Sequence, residues 1–149
     1  MLESYEINSH TVALLPIEGN YTKVIEEDSI YTVEKNTTEI INDSCKYFGS
    51  SFVGRKEGTK ALMGISYKAP IIVEETKNLI FFPTSSPRFE NCTWISLKHV
   101  NNYLKSSQNS LVTFKNGKQL ELEISYGSLE NQVLRATRLE SILRHRKIS

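Results

Sequence analysis

The segment Phe48 to Lys60, FGSSFVGRKEGTK, gathers two serines, three glycines and three basic side chains. No other stretch of the chain combines glycine and positive charge so densely. Its residue types suit an anionic partner. Arg55, Lys56 and Lys60 supply charge, Ser50 and Ser51 supply hydroxyls, and glycine permits close backbone approach. Two conformations are consistent with it. One is a polar loop that turns at its glycines. The other is a short helix capped by Ser50 or Ser51, with Gly54 and Gly58 on one face.

Other chemistries find little support. His10, His99 and His145 are scattered and share no metal-ligand spacing. There is no GxSxG elbow, P-loop or GxGxxG segment, and Ser50-Ser51 has no base nearby. Cys45 and Cys92 form no CxxC pair and read as two half-buried structural thiols, with a single disulfide between them as the alternative. No metal, cofactor or enzymatic step is expected. A nuclease built on His99 ranks last among the readings.

Charge distribution points the same way as the segment. Residues 1–45 carry nine acids against two lysines, net −7, whereas residues 46–149 carry sixteen basic and eight acidic side chains, net +8. Either the basic part faces nucleic acid, or the acidic part lies against it within one fold. Phosphate contact needs Lys or Arg, hydroxyls and free backbone N–H groups. Lys68, Arg88, Lys98 and Lys105 would widen the footprint. Arginine also suits the narrow minor groove of A/T-rich DNA. Trp94, Phe81 and Phe82 have the periodicity of core strands rather than of a base-stacking platform.

The elements that must position these residues form one α+β domain over residues 1–149. It is mostly antiparallel sheet with hairpins, a Gly-rich basic helix or loop near 50–62, and a long helix over 128–146. Strands are expected at Thr11 to Ile17, Thr22 to Glu26, Ile30 to Glu34, Ile71 to Val73, Leu79 to Phe82 and Cys92 to Leu97. Thr37 to Asn42 is either strand, by its β-branched content, or helix, by a Thr cap. Val100 to Leu104 reads as one helical turn. Asn116-Gly117 marks a hairpin between Leu111–Phe114 and Gln119–Ile124. In the last helix Ser128 is the expected cap, and Leu129, Val133, Ala136, Leu139 and Leu143 form its apolar stripe. Leu134 and Ile142 fall outside that stripe, as an interface or as deeper core. No apolar run reaches the length of a membrane span, and the cytoplasm is the expected location.

Four blocks of this sequence resemble the ComK family of competence transcription factors. They are LESYEIN (2–8), CKYFGSSFVGRKEGTK (45–60) with Lys68-Ala69-Pro70-Ile71, FFPTSSPRFENCTWIS (81–96) and FKNGKQLELEISYGSLENQ (114–132). The resemblance implies a DNA-binding activator of DNA-uptake genes that reads paired A/T-rich boxes largely through the minor groove. It also implies homodimers, with two dimers on a full site, and control by an adaptor and a Clp-type protease. The family's chains continue beyond the position of Arg146 into a tail with a role in that proteolysis. This sequence ends at Ser149, so proteolytic control does not carry over by matched residues. The alternative is a short regulatory paralogue that dimerises with, or titrates, a full-length activator. DNA contact is assigned, from charge and glycine, to Ser50, Ser51, Arg55, Lys56, Lys60, Lys68 and Arg88.

Overall fold

Two apolar runs, Ile71-Ile72-Val73 and Leu79-Ile80-Phe81-Phe82, are buried residue after residue. Successive strand side chains point to opposite faces, so such runs require a sheet covered on both sides. The computed structural model provides one. It describes the backbone of residues 1–87 and 92–148, and side chains as far as Arg146. Six antiparallel strands are ordered β3-β2-β1-β6-β5-β4. They are β1 (Thr11–Ile17), β2 (Tyr21–Glu26), β3 (Ile30–Val33), β4 (Ile71–Glu74), β5 (Leu79–Pro83) and β6 (Trp94–Ser96).

The alternation divides the core in two. Leu14, Ile71, Val73, Phe81 and Trp94 pack on one face with Ile40, Ile41 and Cys45 of helix α1 (Thr37–Tyr47). Ala13, Ile72, Ile80, Phe82 and Ile95 pack on the other. There they meet helix α3 (Tyr126–Ile148) and a three-stranded antiparallel sheet. That sheet consists of β7 (Val100–Ser106), β8 (Asn109–Phe114) and β9 (Gln119–Leu122). Helix α2 (Phe52–Met63) runs beside the edge strand β4. Phe52 at its start joins the first core, and Leu62 and Met63 at its end join the second.

The α+β reading holds, with local corrections. Thr37 to Asn42 is helical, and its cap is Asn36 rather than a threonine. Asn36 Oδ1 accepts the Glu39 N–H at 2.8 Å, and Glu39 Oε1 accepts the Asn36 N–H at 3.1 Å. This reciprocal box overrides the β-branched composition. Val100 to Leu104 is strand rather than a helical turn. A single 3-10 turn, Leu97–His99, precedes it, and Ser107 at φ 57° makes the tight reversal into β8. The ladder to β8 decides that segment, and its local sequence does not. Helix α3 starts at Tyr126, before Ser128, and Ser125 Oγ accepts the Ser128 N–H at 3.2 Å.

Cys45 and Cys92 are free, buried thiols. Burial pushes Cys45 up to about 11 and Cys92 up to about 12. The Tyr5 phenol is also raised, first by burial and then by its hydrogen bond to Glu26. All three are held neutral in the fold, so their stabilisation is complete below the unfolded thiol value near pH 8.5. It is lost as pH rises towards the folded values. Urea midpoints are therefore expected to agree at pH 7 and 8 and to fall by pH 10. An unchanged midpoint at pH 10 would contradict this burial.

Candidate nucleic-acid interface

The glycine-rich basic segment is a helix with a tight lead-in. Ser51 is its cap, and its Oγ accepts the Gly54 N–H at 2.9 Å. Phe52 N–H donates to Asn42 Oδ1 at 2.9 Å, tying the start of α2 to α1. Gly49, Ser50 and Arg55 N–H groups also donate within the protein. The backbone donors expected to meet phosphate are thus largely consumed internally, and anion contact falls to side chains. Gly54 is explained by its neighbours, since a Cβ there would lie 3.0 Å from Ser50 Oγ and 3.2 Å from Ser51 Oγ. Gly58 has open space around it.

The helix separates its cations. At about 100° per residue, Arg55 lies on one flank while Lys56 and Lys60 share the other. Arg55 is half-buried near Cys45, and its Nε is buried without a partner among the described residues. Lys56 and Lys60 are exposed. Ser50 is half-buried in the lead-in and Ser51 is spent on the cap. Arg88 lies outside the described residues.

Lys56 and Lys68 meet at one cleft of about 290 Å³ between α2 and the 64–70 loop. Its apolar base is Phe52, Ala69 and Ile71, and its rim carries Lys56, Lys68, Ser66, Tyr67 and Ser86. Tyr67 is 64% exposed. Among the described residues, no carboxylate lines the cleft. Lys56, Lys60 and Lys68 form no ion pair with a described residue. Three ion pairs, His10–Glu27, Lys35–Asp43 and Arg144–Glu140, each stay within the acidic or the basic part.

The loop bearing Lys68 is clamped. Lys68 adopts φ 52°, a left-handed conformation that costs a non-glycine residue about 1 kcal/mol or more. Three side chains hold the surrounding carbonyls. Gln132 Nε2 donates to Lys68 O at 2.9 Å and to Pro83 O at 2.8 Å. Arg135 Nη1 donates to Tyr67 O at 3.0 Å, and Thr59 Oγ1 to Pro70 O at 2.8 Å. Gln132 is 1% exposed and occupies the buried place given above to Val133, which is half-buried. A polar residue in step with Leu129, Ala136 and Leu139 was its only sequence signal. Tyr67, Gln132 and Arg135 were not among the candidate residues.

The cleft offers two ammonium groups and three hydroxyls on a fixed frame. Such a set can hold an anionic, sugar-bearing backbone by charge and hydrogen bonding. The remaining candidates for other chemistry are structural. His99 is buried, with Nε2 2.8 Å from Ser9 O, and Trp94, Phe81 and Phe82 are core. Among the described residues, no group of three His, Cys, Asp or Glu is placed to hold a metal ion, and no helix is long and apolar enough to cross a membrane.

Comparison with known proteins extends the reading to almost the whole chain. The family model described as ComK protein matches residues 2–148. The protein named Competence transcription factor, from Bacillus subtilis (strain 168), is 44% identical over 144 residues. The match covers 94% of this chain and 75% of that protein. No solved structure matches. With its fold formed around the same blocks that carried the resemblance, the chain belongs to the ComK family.

Proposed function

We propose that this protein is a DNA-binding transcription regulator of the competence type, an activator that takes A/T-rich duplex DNA largely through the minor groove and has no enzymatic step. The observation that carries the proposal is the 44% identity, across 94% of the chain, to a competence transcription factor. The Lys56–Lys68 cleft supports it physically. Lys56, Lys60 and Lys68 would neutralise phosphates, and Tyr67, Ser66 and Ser86 would hydrogen-bond the backbone, fixing register without reading bases. Base preference would then come from groove width, with an arginine entering the narrow, negative A/T groove. The protein would act in the cytoplasm as a homodimer, pairing dimers on a full site.

A second reading has one observation in its favour. Leu134 is 59% exposed on the outer face of α3, with Ile142 half-exposed two turns on. That face would suit a regulatory paralogue working through protein contact.

A gel shift separates the two. Duplexes with paired A/T-rich boxes should bind more tightly than G/C-substituted duplexes, and both complexes should weaken with salt. Equal affinity for the two duplexes would remove the sequence preference. Absence of binding to either would favour the protein-contact reading.

A further inference from the structure

Helix α3 sorts its charges by side. The tether from Arg135 to Tyr67 O turns one flank of the helix towards the 64–70 loop. At about 100° per residue, Asn131 and Arg138 share that flank with Arg135. The carboxylates Glu130 and Glu140 lie on the opposite flank by the same count. There Glu140 accepts hydrogen bonds from Asn78 at 3.1 Å and from Arg144 at 3.0 Å. So Arg144 is neutralised in place, while Arg135 and Arg138 form no ion pair with a described residue. Arg138 is exposed one turn beyond the tether. A helix that pairs Arg144 on one side and leaves Arg135 and Arg138 without ion pairs to described residues beside a basic cleft extends the positive charge of that cleft. That charge runs from Lys56 and Lys68 across Tyr67 to Arg135 and Arg138.

We infer that this flank of α3 is a second wall of the nucleic-acid interface, with Arg138 contacting a backbone phosphate of duplex DNA and Arg135 both fixing the loop and adding charge. The inference rests on the DNA-binding function proposed above and adds residues that charge density along the sequence did not single out. Phosphate is the partner that fits, because guanidinium groups form paired hydrogen bonds to it and no carboxylate of a described residue lines the cleft.

Arg138→Gln tests the contact, because Arg138 makes no hydrogen bond that the fold requires. Arg144→Gln is the charge-matched control on the opposite flank. Binding to a duplex with A/T-rich boxes is measured by fluorescence anisotropy across a salt series. One phosphate contact contributes a salt slope of about 0.9, so Arg138→Gln should lower affinity about eightfold at 0.1 M salt and flatten the slope by about 0.9. Arg144→Gln should leave both unchanged. If Arg138→Gln matches wild type while wild type binds, the second wall is overturned and the proposed function stands. Equal loss in both variants would also overturn it, because general charge would then explain the effect. If wild type binds no duplex, the inference falls together with the function beneath it.

Discussion

Replacing Lys56 with Gln and Lys68 with Asn in one protein is expected to weaken binding to A/T-rich duplex DNA by roughly 50-fold at 0.1 M salt. The two lysines rim the same cleft, so both ammonium groups would release counterions on meeting the backbone. Each contact contributes a slope of about 0.9, and the plot of log affinity against log salt should flatten by about 1.8. Asn is chosen for position 68 because it tolerates the left-handed backbone there, at φ 52°. Lys115→Gln with Lys118→Gln provides the control. It removes the same charge from the β8–β9 hairpin, whose Asn116 reaches Glu27 rather than the cleft. Anisotropy titrations at four salt concentrations distinguish the pairs. Equal slopes for the two double variants would show that total charge, and not the cleft, governs binding.

Trp94→Ala is expected to cost about 3–5 kcal/mol of unfolding free energy. The indole is fully buried in the first core and meets Phe52 edge to face, with ring centroids 6.0 Å apart. Phe52 is also the base of the cleft. Truncation therefore opens a cavity beneath the site as well as in the core, and loosened α2 should weaken DNA binding. Trp94→Phe keeps an aromatic edge and should lose about half as much. Urea unfolding followed by far-UV circular dichroism measures both, since Trp94 is the chain's one tryptophan and fluorescence is lost with it. A loss below about 1 kcal/mol would contradict the packing described.

Much of the frame was legible because it depends on local pattern. The continuous runs of β4 and β5 signal burial on both faces, and Asn116-Gly117 places the β8–β9 turn, with Gly117 at φ 88°. Segments whose local signals conflict were not legible. Thr37 to Asn42 has strand composition, and a capping box makes it helix. Val100 to Leu104 has no strong strand signal, and its pairing with β8 makes it strand.

The site divides in the same way. Lys56, Lys60 and Lys68 stand out by charge, but the helical turn that separates Lys56 from Arg55 appears only once the segment is known to be helix. The clamp was out of reach, because Gln132 and Lys68 are 64 positions apart. A glutamine between Asn131 and Val133 carries no mark of which carbonyls it serves.

Photo-crosslinking tests the central claim, that duplex DNA lies across the α2–loop cleft, most directly. A duplex with A/T-rich boxes carrying 5-iododeoxyuridine is irradiated with the protein, and the linked peptides are identified by mass spectrometry. Crosslinks are expected at Tyr67, the exposed aromatic on the cleft rim. Specific binding with crosslinks confined to Tyr103 or Tyr126, which pack against each other away from the cleft, would contradict the account.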